Sequence, residues 1–141
     1  MGDDQVSGAL PIGFDFEFYC NTYNQFYISS NGFITFNNGG GAGCCTGLAL
    51  PATGAPDNLI ALAWEDLDPF NSGTIEYVTA GSAPNRMLIV SFINVPHFPG
   101  PGPTNNITIQ AILYESTNIV EIHTTTQPDA CLLYTSPSPR D

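Results

Sequence analysis

Apolar and polar residues alternate over Phe14–Phe18, where three phenylalanines at every second position bracket Asp15 and Glu17. That is the period of a strand with one face buried and one wet. A second run, Phe26 to Ser30, reaches Asn31-Gly32 and returns as Phe33 to Phe36. Asn-Gly supplies the two positive-φ residues of a type I′ turn, so the pattern predicts a hairpin on a two-residue loop. In that register Ser30 faces Phe33, Ile28 faces Thr35 and Tyr27 faces Phe36.

The rest of the chain reads the same way. Residues 1–13 form a polar lead-in ending in a Pro11-Ile12-Gly13 turn, with Val6, Leu10 and Ile12 as an edge strand. Asn37 to Gly43 is a glycine-rich loop, and the stretch from Cys44-Cys45 to Pro56 is irregular. Leu59 to Trp64 is a continuous apolar run, expected to be a strand buried on both faces, ended by the acidic turn Glu65-Asp66-Leu67-Asp68-Pro69. Thr74–Thr79 and Arg86–Val95 alternate as strands. His97 to Pro103 holds three prolines and two glycines and is expected to be a long exposed loop. Ile107–Tyr114 and Ile119–Thr124 form a second hairpin around Glu115–Asn118. Roughly eight short strands without an amphipathic helix predict an all-β fold, an antiparallel β-sandwich of jelly-roll-like form. Its expected core includes Phe14, Phe16, Phe18, Ile28, Leu62, Trp64, Leu88, Val90, Ile109 and Leu113. An immunoglobulin domain proper is disfavoured, because no Cys…Trp…Cys framework exists.

Composition narrows the partners. The 141 residues suit one domain, and they carry thirteen acidic side chains against Arg86 and Arg140, with no lysine, for a net charge of −11. Such a surface repels nucleic-acid phosphate and anionic lipid. No apolar run is long enough for a membrane span. The first residues hold neither a basic n-region nor an apolar h-region, so a secreted protein containing this stretch is expected to be longer than it. The cysteines fit neither a disulfide scaffold nor a zinc pattern. An ordinary bond from Cys44 or Cys45 to Cys20, or to a partner elsewhere, is the expected use of these thiols, since two neighbours close a strained ring.

Five segments in order, FDFEFYCNTYNQFYISSNGFITF, NLIALAWEDLDP, GTIEYVTAG, APNRMLIVSF and ILYESTNIVEIHTTT, resemble a β-sandwich module of very large secreted and surface proteins of Bacteroidetes-type bacteria. More distantly they are similar to the extracellular nidogen-type domain, which shares an SNGF-like hairpin and a W-x-D-x-D-like strand end. The resemblance spans about residues 9–126. It implies a non-catalytic extracellular module associated with adhesion or surface assembly, with neighbouring domains in a longer chain and no catalytic residue. The sequence departs from the pattern at Cys20, where glycine is usual, and after the IEIHTT-like element, where further strands are expected. There Cys131–Asp141, CLLYTSPSPRD, resembles the translation of a transposase adapter used in sequencing libraries. The expectation is therefore one incomplete domain over residues 1–130, and an unstructured, adapter-derived tail over residues 131–141 of an environmental fragment.

Several residues invite chemistry. Glu65, Asp66 and Asp68 crowd one strand end, with Asp57 and Asn58 at the other; an Asp-x-Asp turn offers two oxygen ligands to Ca²⁺. Six or more ligands must converge for such a site, so a solvated acidic turn that blunts a sheet edge is the plainer reading. Glu65 alone cannot act as a glycosidase pair. His97 and His123 belong to no nucleophile motif and read as surface residues. Tyr19, Tyr23, Tyr27, Phe70, Tyr77 and Phe98 offer a sugar-stacking platform, although aromatics at period two are usually core. Asn106-Ile107-Thr108 matches the N-glycosylation pattern, which is silent in a bacterium. The function expected is a non-catalytic extracellular structural or adhesion module, meeting an extracellular protein or glycan. The alternative is a carbohydrate-binding module attached to a secreted glycan-active enzyme.

Overall fold

The computed structural model describes residues 1–43, 47, 56–99 and 105–127. Eight strands form two four-stranded antiparallel sheets: β1 (Leu10–Phe18), β2 (Asn21–Ser29), β3 (Phe33–Thr35) and β4 (Leu59–Ala61), then β5 (Thr74–Ala80), β6 (Met87–Pro96), β7 (Asn106–Tyr114) and β8 (Val120–Thr126). The described residues contain no helix. Consecutive strands are neighbours in both sheets, so each is a meander. The expected all-β antiparallel sandwich is what the chain forms; within it, the described strands follow one another in sequence rather than by the Greek-key crossing of a jelly roll.

Alternation builds the core. Phe14 and Phe16 on β1, Phe26 and Ile28 on β2, and Ile34 on β3 face Leu88, Val90 and Phe92 on β6 and Ile109, Ala111 and Leu113 on β7. Phe18 is half-buried, with its ring against Phe36 and edge-on to Tyr19. Trp64 is buried but belongs to a separate contact with Phe33, at 5.7 Å between ring centroids. One strand touches three parts of the opposite sheet: the Ile12 carbonyl accepts from Thr79 Oγ1 (2.6 Å), the Gly13 carbonyl from Arg86, and the Glu17 amide donates to Asn118 Oδ1 (2.9 Å). β1 is therefore tied to the second sheet through β5, the residue before β6 and the β7–β8 turn.

Three local readings are revised. The lead-in does not turn at Pro11-Ile12-Gly13; the strand runs through it on a bulge between Pro11 and Phe16, with Gly13 at φ 92°, and Ile12 is fully buried. Residues 5–7 then continue the β1 edge along β2, through the Val6–Ser29 bridge. The central hairpin pairs Tyr27 with Thr35, Ile28 with Ile34 and Ser29 with Phe33. Its loop is three residues, Ser30–Gly32: the Gly32 amide donates to the Ser29 carbonyl and only Gly32 takes a positive φ, 76°. That is a type I turn followed by a left-handed residue rather than a type I′ turn. Finally, β4 stops at Ala61 because the amides of Leu62, Ala63 and Trp64 all turn to the Gly32 carbonyl, at 3.0, 2.9 and 3.1 Å. The segment from Cys44 to Cys45 and the tail at 131–141 lie outside the described residues.

Candidate functional site

Asn31 explains the longer loop. It is fully buried and spends every polar atom: its amide donates to Ser29 Oγ (3.1 Å), its Nδ2 to Asp4 Oδ1 (2.8 Å) and the Ala42 carbonyl (3.3 Å). Its Oδ1 accepts from the Leu67 amide (3.1 Å) and its carbonyl from the Glu65 amide (3.2 Å). The hairpin tip is therefore an anchor that fixes the amino terminus and the acidic segment against one another.

On that anchor the three acidic candidates separate. Glu65 Oε2 lies 2.8 Å from His97 Nδ1, with both side chains 12% exposed. His97 is thus no loop-surface residue, contrary to the expectation. Its amide donates to the Asn105 carbonyl, and its backbone bridges Leu67, because β6 continues to Pro96 and carries it alongside the acidic segment. His97 Nε2 is buried without a hydrogen-bond partner among the described residues. Asp68, 4% exposed, accepts from the amides of Phe70 (3.1 Å) and Asn71 (3.3 Å) and from the Asn71 side chain, a side-chain-capped turn. Only Asp66 joins other carboxylates: oxygens of Asp3, Asp4 and Asp66 lie within 4.8 Å of one another. Partial burial, then repulsion from Asp4, Asp3 and Asp68, holds the Asp66 pKa above the ordinary value against the pull of His97. Asp3 is raised too, by desolvation and then by Asp68 and Asp4, against its hydrogen bond from the Asp4 amide. Three carboxylates offer a hard cation about half of the six to eight oxygens that Ca²⁺ takes. Asp57, at the far end of β4, gives its carbonyl to Thr35 Oγ1 (2.8 Å).

The other candidates are dispersed. His123 is exposed and bonds Glu121 at 3.0 Å. Cys20 is exposed beside Tyr19 and has no disulfide partner among the described residues; its expected partners Cys44 and Cys45 lie outside them. The six aromatics do not form one platform: Tyr23 stacks on Phe36 and Tyr77 meets Phe26 edge-on, while Tyr19, Phe70 and Phe98 stand exposed. Sequence reasoning missed Asp3, Asp4, Asn31 and His97 as neighbours of the acidic segment. It also missed Arg86, which grips Glu115 through Nε (2.8 Å) and a second nitrogen, and lies 5.7 Å over the Phe14 ring. That guanidinium brings the Glu115 carboxyl down to about 2.

A β-sandwich of two meanders, with Glu65 and Asp68 engaged inside the fold, defines a module held together by polar joints at both ends. The chain belongs to the NIDO related family, whose model matches residues 1–135. The nidogen-like resemblance is thereby established, and the family points to an extracellular setting. No curated protein matches the chain, and no solved structure does. No helix among the described residues is long and apolar enough to cross a membrane, which leaves strand-built membrane proteins aside.

Proposed function

We propose that this chain is a non-catalytic structural or adhesion module of a longer extracellular protein, of the kind found in large surface proteins of Bacteroidetes-type bacteria. The observation that carries the reading is the family match over residues 1–135. The use of the most catalytic-looking groups supports it: Glu65 pairs with His97, and Asp68 caps its own turn. A glycosidase needs two carboxyl groups flanking the bond to be cut, and these two serve other partners. The neighbouring domains supply the anchoring, and this domain supplies the contact surface.

Display of the 141-residue chain on a cell that lacks it tests this. The expected result is attachment to sister cells or to polysaccharide-coated surfaces several-fold above an unrelated displayed β-domain. Unchanged attachment, together with hydrolysis of a p-nitrophenyl glycoside that Glu65→Gln abolishes, would overturn it.

A further inference from the structure

The outer face of the second sheet holds a feature the acidic end does not explain. Glu76 pairs with Ser91, Ser91 with Gln110, and Gln110 with His123, so four polar residues stand in one row across all four strands. They alternate with the buried Val90, Phe92, Ile109 and Ala111, which places the row on the outward side. A groove of about 350 Å³ runs along it, lined also by Ile93 and Thr108. Neighbouring strands lie about 4.8 Å apart, so the row is about 14 Å long, the reach of a short oligosaccharide.

The row is pre-set by its own bonds. Gln110 Nε2 donates to Ser91 Oγ at 2.9 Å, which fixes the amide plane and leaves its carbonyl oxygen and second proton for a ligand. Thr108 Oγ1 is clamped between the Asn94 amide (3.0 Å) and Asn94 Oδ1 (3.3 Å), making a rigid wall. His123 commits Nε2 to Glu121 and keeps Nδ1. Side chains held this way lose little freedom on binding. A carboxylate, a primary amide, an imidazole nitrogen and an aliphatic surface together match a ring that offers vicinal hydroxyls on its edge and C–H groups on its face. Anionic ligands are opposed by Glu76, Glu121 and the net charge of −11.

We propose that this groove binds a neutral oligosaccharide along the Glu76–Ser91–Gln110–His123 row. The proposal rests on the reading of the chain as a non-catalytic extracellular module, and it gives that module the chemical class of its ligand. Planar polar side chains orient the hydroxyls, and Ile93 takes the sugar's apolar face.

Backbone amide NMR of the 141-residue chain tests it. The titrants are cellotetraose, xylotetraose, mannotetraose and tetra-N-acetylchitotetraose, with tetragalacturonate as the anionic member. At least one neutral sugar is expected to move the amides of residues 76, 91, 110 and 123 saturably. Glu76→Gln and Gln110→Ala should each weaken that sugar by about fivefold or more, as loss of a ligand hydrogen bond does, while Asp15→Asn on the first sheet leaves it unchanged. The proposal falls if no neutral sugar shifts these residues, or if shifts centre on Asp15, Asn24 and Gln25. It falls equally if they centre on Val78, Ile89 and Ile112 with dependence on protein concentration, or if tetragalacturonate binds as well. Mass spectrometry of the recovered sugar separates the two readings: shortened sugar contradicts the non-catalytic module but leaves the binding site standing.

Discussion

The buried Asn31 side chain joins three separate parts of the chain, through Asp4, Ala42 and Leu67. Replacing it with Ala leaves the Leu67 amide without its acceptor in a buried site and releases Asp4, an unsatisfied-donor penalty of about 1–3 kcal/mol. Chemical denaturation followed by the fluorescence of Trp64, the chain's one tryptophan and a buried one, should show that loss as a lower midpoint. Two pH effects of opposite sign belong at this scale. Asp66 has its folded pKa raised, so the folded state favours its protonated form; that advantage is complete below the ordinary value of 3.8 and is lost as pH rises through the folded value. Asp66→Asn should therefore raise the melting temperature at pH 7 and have no effect near pH 3. Glu115 is depressed from 4.5 to about 2 by Arg86, so its contribution is present above pH 4.5 and disappears as pH falls toward 2. Melting curves of Glu115→Gln across that window should be flatter than those of the parent. Arg86→Lys should not restore the parent, because an ammonium cannot reproduce the forked contact.

Strands were legible in the sequence where one face is apolar and the other wet. β7 follows its period-two run closely, as β1 does over Phe14–Phe18, and the Glu115–Asn118 turn joins β7 and β8 as the pattern requires. The hairpin register was not legible. Asn-Gly has a strong local preference for the two-residue loop, yet the tertiary bonds of Asn31 hold it at negative φ and move the pairing by one residue. The same long-range demand shortened β4, through the three amides gathered on Gly32. Gly32 is the element-scale test. A Cβ there would sit 3.1 Å from the Trp64 amide nitrogen and 3.1 Å from Leu67 Cδ1, on a backbone at φ 76° that side chains rarely adopt. Gly32→Ala should cost about 1–3 kcal/mol, read as a lower denaturation midpoint with β-sheet circular dichroism retained.

At the scale of the molecule, the acidic segment was visible as a cluster but not as a site. Its partners stand far away in the chain: Asp4 is 27 residues from Asn31 and Leu67 is 36 residues from it. Alternation reports which face of a strand is buried, whereas it carries no information about which turn a buried amide will meet. His97 is the sharpest case, since the proline-rich stretch after it reads as exposed loop while β6 carries the imidazole in against Glu65. The two ends of the sandwich are thus closed by polar joints, around Asn31 at one and Arg86 at the other.

The family points to an extracellular setting for the chain. Cys20 gives a direct readout, because its side chain is exposed and its thiol has no disulfide partner among the described residues. Intact cells expressing the full-length parent protein should be treated with a membrane-impermeant maleimide, and the protein then recovered and digested. Modification of the peptide containing Cys20 without permeabilisation is the predicted result, with a Cys20→Ser control showing none. Labelling of Cys20 only after the cells are opened would place the chain inside the cell and overturn the extracellular setting.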